Sequence, residues 1–239
     1  MHAVNRSPFY PWMAIALSAV VVLGFSRTYY LRFLSDLPPM TALVHLHGLV
    51  FTAWLALFIA QTRLVAAHRI DLHMKLGIAG VALAAIITAV GLWTVVVGAA
   101  TPRIRVTGLT NTQHTLVGLT SIAMFSAFVA LGVATRRQGA VHKRYMVLAM
   151  VAILSPATAR IMIGLGVPRY ATYFVPAMAA AFVIACMVYD WKRYRVVHPA
   201  YVIGGAVIVA SWPWRYMAAR QDWYQPIGEW IARIGAGIS

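Results

Sequence analysis

The sequence predicts an all-α polytopic membrane bundle of about seven transmembrane helices, on three observations. The first is composition: 62% of the 239 residues are hydrophobic and only 10% are charged, where a soluble domain carries about a quarter charged residues. The second is the gathering of apolar residues into long runs, since a bilayer core about 30 Å thick needs roughly 20 residues of helix. The third is the lack of period-two alternation. Backbone groups in lipid must be satisfied within the protein, so apolar runs without a barrel pattern are helices.

Seven runs qualify, at about 9–26, 40–62, 74–100, 110–135, 141–165, 170–190 and 200–217. The first follows a short basic start and has the shape of a signal peptide. However, Ser26-Arg27-Thr28-Tyr29-Tyr30 stands where a small-residue cleavage site would be, so the run is expected to stay as helix 1. Helices 2–5, about 40–165, are expected to form a four-helix core, with helices 1, 6 and 7 around it. Beyond them Ile227, Trp230, Ile231 and Ile234 recur at i, i+3, i+4 and i+7, with Glu229 and Arg233 between them. This reads as an amphipathic helix at about 222–236 lying in the membrane interface. The whole of 1–239 is thus one transmembrane domain, with no room for a separate soluble enzyme.

The net charge is +15, from twenty Lys/Arg against five Asp/Glu. The basic residues sit in the loops, where anionic lipid headgroups account for them and nucleic acid is not needed. With seven helices, one side holds Arg6, Arg63, Arg69, Lys75, Arg136, Arg137, Lys143, Arg144, Lys192, Arg193 and Arg195. The other holds Arg27, Arg32, Arg103, Arg105, Arg169, Arg215, Arg220 and Arg233. The excess of eleven over eight favours a cytoplasmic N-terminus. Cys186 is the single cysteine, so internal disulfides and CxxC sites are excluded.

Eight histidines carry the functional reading. His2 and His198 stand at the ends of elements and are expected to be solvated, and His68 lies in a basic loop. His45 to His73 is 28 residues, and His114 to His142 is also 28. Helices 2–3 and 4–5 therefore look like a parallel repeat, about an axis along the membrane normal. That axis sets His45 opposite His114 at one level and His73 opposite His142 at the other. Small residues accompany them: Thr41, Gly48, Thr52 and Ala56 on the His45 face; Gly77, Gly80, Ala84, Thr88 and Gly91 on the His73 face; Gly118 and Ser121 after His114. Such faces pack closely on a partner helix or on a flat prosthetic group. His47 lies about 160° from His45, with Phe51, Trp54 and Phe58, a bulkier and more lipid-like face, so His45 is the expected inward residue. Arg160 is 18 residues from His142, five helical turns along the same face, and so about 27 Å away at the level of His45 and His114. A charge within a membrane helix is costly and suggests function.

Two facing imidazoles from two helices are what a six-coordinate b-type haem needs axially. The expected sites are an outer haem on His45 and His114, an inner haem on His73 and His142, and a propionate on Arg160. Interfacial anchoring would equally explain histidines at helix ends, beside Lys75, Lys143 and Arg144, and Arg160 could snorkel. A single metal site would need His45, His47 and His114 on a distorted helix. Desaturase-type histidine clusters are absent, and no Asp or Glu lies deep in a run to serve as a proton relay. No nucleophile elbow, Walker loop or dinucleotide fingerprint is present.

The layout of His45/His114 and His73/His142 on helices 2–5 resembles the transmembrane di-haem cytochrome b group. That resemblance implies two bis-histidine haems moving electrons from ascorbate or quinol across a membrane. His45 through Gly48, Gln61, Leu72-His73, Leu76-Gly77, His142-Lys143-Arg144-Tyr145-Met146 and Arg160 are similar to uncharacterised bacterial multi-pass proteins with a domain of unknown function. The expectation is an integral membrane protein with one or two b haems, an oxidoreductase working with a quinone or a redox partner. The alternative is a small transporter or accessory subunit without a redox cofactor, its small-residue faces lining a substrate path and Arg160 binding an anion.

Overall fold

Helices dominate the computed structural model, which describes residues 8–34, 39–101 and 108–238, and no strand occurs among them. His2, Arg6, Arg103 and Arg105 lie outside the described residues. Helix α1 (Phe9–Phe25) runs into a π-turn, Ser26–Tyr30, and a short 3-10 turn, Arg32–Leu34. Then come α2 (Ala42–Ala66), α3 (Ile70–Ala100), α4 (Asn111–Ala134), α5 (Gly139–Ala152) and α6 (Ser155–Gly164). A 3-10 turn, Pro168–Tyr170, leads to α7 (Ala171–Tyr194), α8 (Pro199–Ala218) and α9 (Gln225–Gly237).

Local chemistry explains the boundaries. The Thr41 hydroxyl accepts from the Val44 amide at 3.4 Å and starts α2. Thr110 and Gln113 form a reciprocal capping box at the start of α4. Pro156 lacks an N–H, and its ring would strike the carbonyl four residues back, at Ala152, where α5 ends. The predicted fifth helix is therefore two, bent by 41°.

Five helical segments are long and apolar enough to cross a membrane: Phe9–Tyr30, Ala42–Ala66, Ile70–Ala100, Asn111–Ala134 and Pro168–Tyr194. The bent pair α5–α6 makes a sixth if it is one span. The predicted seventh, now α8, is not among them, because Ser211, Trp212, Pro213, Trp214 and Arg215 interrupt its apolar run.

Helices α2, α3, α4 and α5 pack each on the next, α1 packs on α2 and α6, and α8 packs on α5 and α7. The buried core gathers Trp54 from α2, Phe125 from α4 and Met150 from α5; the Trp54 indole N–H donates to the Met150 sulfur at 3.0 Å. Leu17 of α1, Val183 of α7, and Tyr201 and Ile208 of α8 belong to the same core. The expected division into a four-helix core and three surrounding helices is thus replaced by a shared core.

Glycines make these contacts close. The backbone of Ala157 on α6 lies directly against Gly24 of α1. Ile122 fills the space at Gly91, Val95 that at Gly118, Leu148 that at Gly204 and Val183 that at Gly205. In lipid, where apolar burial gives no preference for a neighbouring helix, such close approach is the main source of helix association.

Helix α9 lies across α3 and α4. Gly228 meets the backbone of Thr112, Gly235 meets that of Val96, Ile231 is buried, and the Tyr224 hydroxyl bonds Thr115 Oγ1 at 2.6 Å. Ile227, Trp230 and Ile234 stay exposed. Its predicted apolar stripe is therefore divided, with Ile231 facing protein and the other three facing outward.

Candidate functional site

The loops 67–69, 135–138 and 195–198 and the start of α1 share one end of the bundle, which we call the basic end. His73 and His142 meet there. His73 lies in the first turn of α3, after the short loop that follows α2; His142 lies in the first turn of α5. Their rings are 6.1 Å apart between centroids and nearly perpendicular, at 80°. His142 Nδ1 is 2.7 Å from the carbonyl oxygen of Gly132 on α4. A carbonyl only accepts, so Nδ1 carries the proton and Nε2 of the neutral ring keeps its lone pair. His73 Nδ1 is buried without a hydrogen-bond partner among the described residues, and the Gln61 backbone on α2 is within hydrogen-bonding reach of its ring. For His142, one nitrogen held by the main chain and one left over is the arrangement that orients an imidazole metal ligand.

This pair can be tested against haem iron. Two imidazoles on one metal at bond lengths of about 2 Å place their facing nitrogens about 4 Å apart and their ring centroids roughly 6 Å apart. The 6.1 Å of His73 and His142 fits that spacing. The other expected pair lies at the opposite end of the bundle, at the starts of α2 and α4. His45 is exposed, its ring 6.4 Å from that of Tyr29, and His114 is half-buried at the start of α4. No group of three or more metal-ligating side chains occurs among the described residues, and His45 does not take the inward place expected of it.

The reason lies in the rotation of α2. Trp54 and Phe58 are buried at 3% and 5% exposure, so the aromatic face is the inward one. His47 goes with it: its ring stacks on Phe51 at 4.2 Å, and Nδ1 lies 3.2 Å from Thr94 Oγ1 on α3. The Thr94 hydroxyl donates to the Val90 carbonyl, so its oxygen accepts from His47. The His45 face instead receives the π-turn of α1: the Tyr29 ring covers Gly48, and Tyr30 Oη bonds Thr52 Oγ1 at 2.9 Å. His47, not His45, is the inward histidine of this level.

Arg160 is half-buried on α6, donating to the Pro156 carbonyl at 3.2 Å and lying 4.4 Å over the Phe25 ring. It is close enough to His47 for its charge to bear on that ring. The count of five turns from His142 does not apply, because the helix breaks between them. The small-residue faces are also accounted for: Leu57 approaches Gly80, Ile122 fills the space at Gly91 and Thr88 bonds Ser126 at 2.8 Å. They pack helices together at these positions.

Sequence reasoning missed three buried charges. Arg144, counted above among the loop cations, is 3% exposed and clasps the fully buried Asp190 of α7, Nε to Oδ2 at 2.9 Å and Nη2 to Oδ1 at 2.6 Å. It also donates to the Ala140 carbonyl. Asp190 Oδ2 accepts from the His198 amide at 3.2 Å, and the Tyr10 and Tyr201 hydroxyls and the Cys186 thiol share this buried region. The usable signal was a lone acid at the end of an apolar run, in a chain with only five acids. His198 is no solvated end: its Nδ1 accepts from the Ala200 amide at 3.1 Å and caps α8. Burial, then the Arg144 charge, hold its pKa below the ordinary value. Arg215 is the third buried charge, 1% exposed, donating to Ser121 Oγ at 3.2 Å and stacked 4.9 Å over Trp212.

No protein-family model matches the chain, and no curated protein and no solved structure is significantly similar to it.

Proposed function

We propose that the chain is a bacterial inner-membrane redox protein that holds one b-type haem between His73 and His142 at the basic end. The observation that carries this reading is the approach of the two rings to 6.1 Å, from two helices, with His142 Nδ1 engaged by the Gly132 carbonyl and His73 Nδ1 buried without a hydrogen-bond partner among the described residues. The same two residues take part in the resemblance to the di-haem cytochrome b group. In this reading α8 crosses the membrane as a seventh span and the N-terminus is cytoplasmic.

The bound haem would supply one-electron chemistry, with a potential tuned by its ligands, their hydrogen bonds and burial. The chain's own part is to orient His142 through Gly132, to present His73 from the first turn of α3, and to keep the site within the packed ends of α2–α5. Lys75, Arg136, Arg137 and Lys143 stand around this end. They would draw an anionic redox partner, or a quinol releasing protons on that side. With one haem the electron is exchanged at one end. The second haem on His45 and His114, and Arg160 as a propionate partner, are not part of the proposal.

The test is the absorption spectrum of the full chain purified after expression with haem supply. A Soret band is expected that His73→Ala or His142→Ala abolishes and that His45→Ala and His114→Ala leave in place. No Soret band, or one indifferent to His73→Ala and His142→Ala, overturns it.

A further inference from the structure

At the end opposite the haem site, α7 and α8 diverge and leave an open groove of about 670 Å³. Its lining surface is almost wholly apolar, and Arg220 is the one charged residue on it. At the mouth stand Thr172 and Tyr173, from the first turn of α7, with Tyr216 and Arg220, from the end of α8. Deeper, towards the close contact of Gly205 with Val183, the walls are Pro176, Ala206, Val209 and Ala210. Such a lining suits an acyl chain running into the bilayer, with Arg220 at the outer end where the head of a lipid would lie.

Charge selects among such occupants. Arg220 is exposed at the mouth, its guanidinium 5.8 Å over the Tyr216 ring. Behind the lining residue Trp212 lies Arg215, whose Nε has no hydrogen-bond partner and which has no carboxylate partner among the described residues. Asp222, two residues past Arg220, is the one nearby acid in that turn. Two cations against one carboxylate favour an anionic head.

The groove has a second chemical feature. Pro176 and Pro213 both line it, and each lacks the N–H that would bond the carbonyl four residues earlier. Those carbonyls belong to Thr172 and Val209, which also line the groove. In lipid a carbonyl without its helical donor gains from a hydroxyl brought by the occupant.

We infer that this groove is a binding site for an anionic phospholipid with a hydroxylated head, of the phosphatidylglycerol type, phosphate on Arg220 and acyl chain along Pro176, Ala206 and Ala210. The inference is independent of haem binding. Native mass spectrometry of the full chain in detergent, titrated with phosphatidylglycerol or phosphatidylcholine, tests it. The wild type should retain phosphatidylglycerol over phosphatidylcholine. Arg220→Gln, an exposed change that leaves packing alone, should lower that preference about fivefold, the weight of one basic side chain at an anionic lipid surface. Ala210→Leu, which fills the apolar part, should weaken both lipids. Equal retention of the two lipids by the wild type, or an unchanged preference in Arg220→Gln, overturns the inference. Should Ala210→Leu fail to fold, those two outcomes still decide.

Discussion

Burying a carboxylate away from water costs several kcal/mol unless a cation meets it with good geometry. Asp190 is met on both oxygens by Arg144 and on one also by the His198 amide. Asp190→Asn would leave the guanidinium buried and uncompensated, and should cost about 3–5 kcal/mol, read as a fall in the thermal midpoint in detergent. The double change Arg144→Met with Asp190→Leu should recover most of that loss, because it removes both charges together. His198 supplies a pH response. Its folded pKa is lowered, by burial first and then by Arg144, so below the ordinary histidine pKa of about 6.5 the unfolded chain binds the proton more readily. Stability from this group is present above that pH and is lost as pH falls. Protonation also removes the lone pair that accepts from Ala200. His198→Asn keeps a capping oxygen without a titrating ring, and should flatten this part of the stability profile between about pH 7 and pH 5.

Among the elements, the seam between α1 and α6 is set by Gly24, where even a methyl group would meet the Ala157 backbone. Backbone cannot move aside as a flexible side chain can, so Gly24→Ala should cost about 1–3 kcal/mol. Gly164→Ala, at an exposed helix end where the added carbon meets nothing within 4 Å, should change stability by no more than about 0.5 kcal/mol. Thermal unfolding of the two variants side by side checks the contrast. Two element boundaries have local causes, the Thr110–Gln113 box that opens α4 and Pro156 where one helix becomes two, yet the apolar runs register neither. The broken fifth helix escaped the reading by runs because hydropathy stays high across Ile153-Leu154 while the hydrogen-bond ladder fails.

For the whole molecule, the equal 28-residue spacings predicted two histidine pairs, and only His73 and His142 come together. Rise per residue sets the level of a side chain, so spacing along the chain was informative about height. It was not informative about rotation. A soluble helix shows its inner face by being apolar there, but a membrane helix is apolar all round, and lipid is as apolar as the core. Small faces and aromatic faces are then both candidates for the interior. On α3 and α4 the small faces pack inward; on α2 the aromatic face does, and carries His47 rather than His45 with it. Charges were misassigned for a related reason. Arg144 and Asp190 lie 46 residues apart, one beside a basic loop and one at a helix end, and only their meeting made them interior residues.

Composition and run length alone established the helical, membrane-compatible character of the chain, because an apolar surface of that extent cannot be reconciled with water. The positions of the histidines established that any paired site would lie at the helix ends. Tertiary structure decided which histidines face each other, which charges are buried and how α9 divides its apolar stripe. Those choices depend on helix rotation and on close backbone approach at glycines, and neither is encoded in hydropathy along the chain.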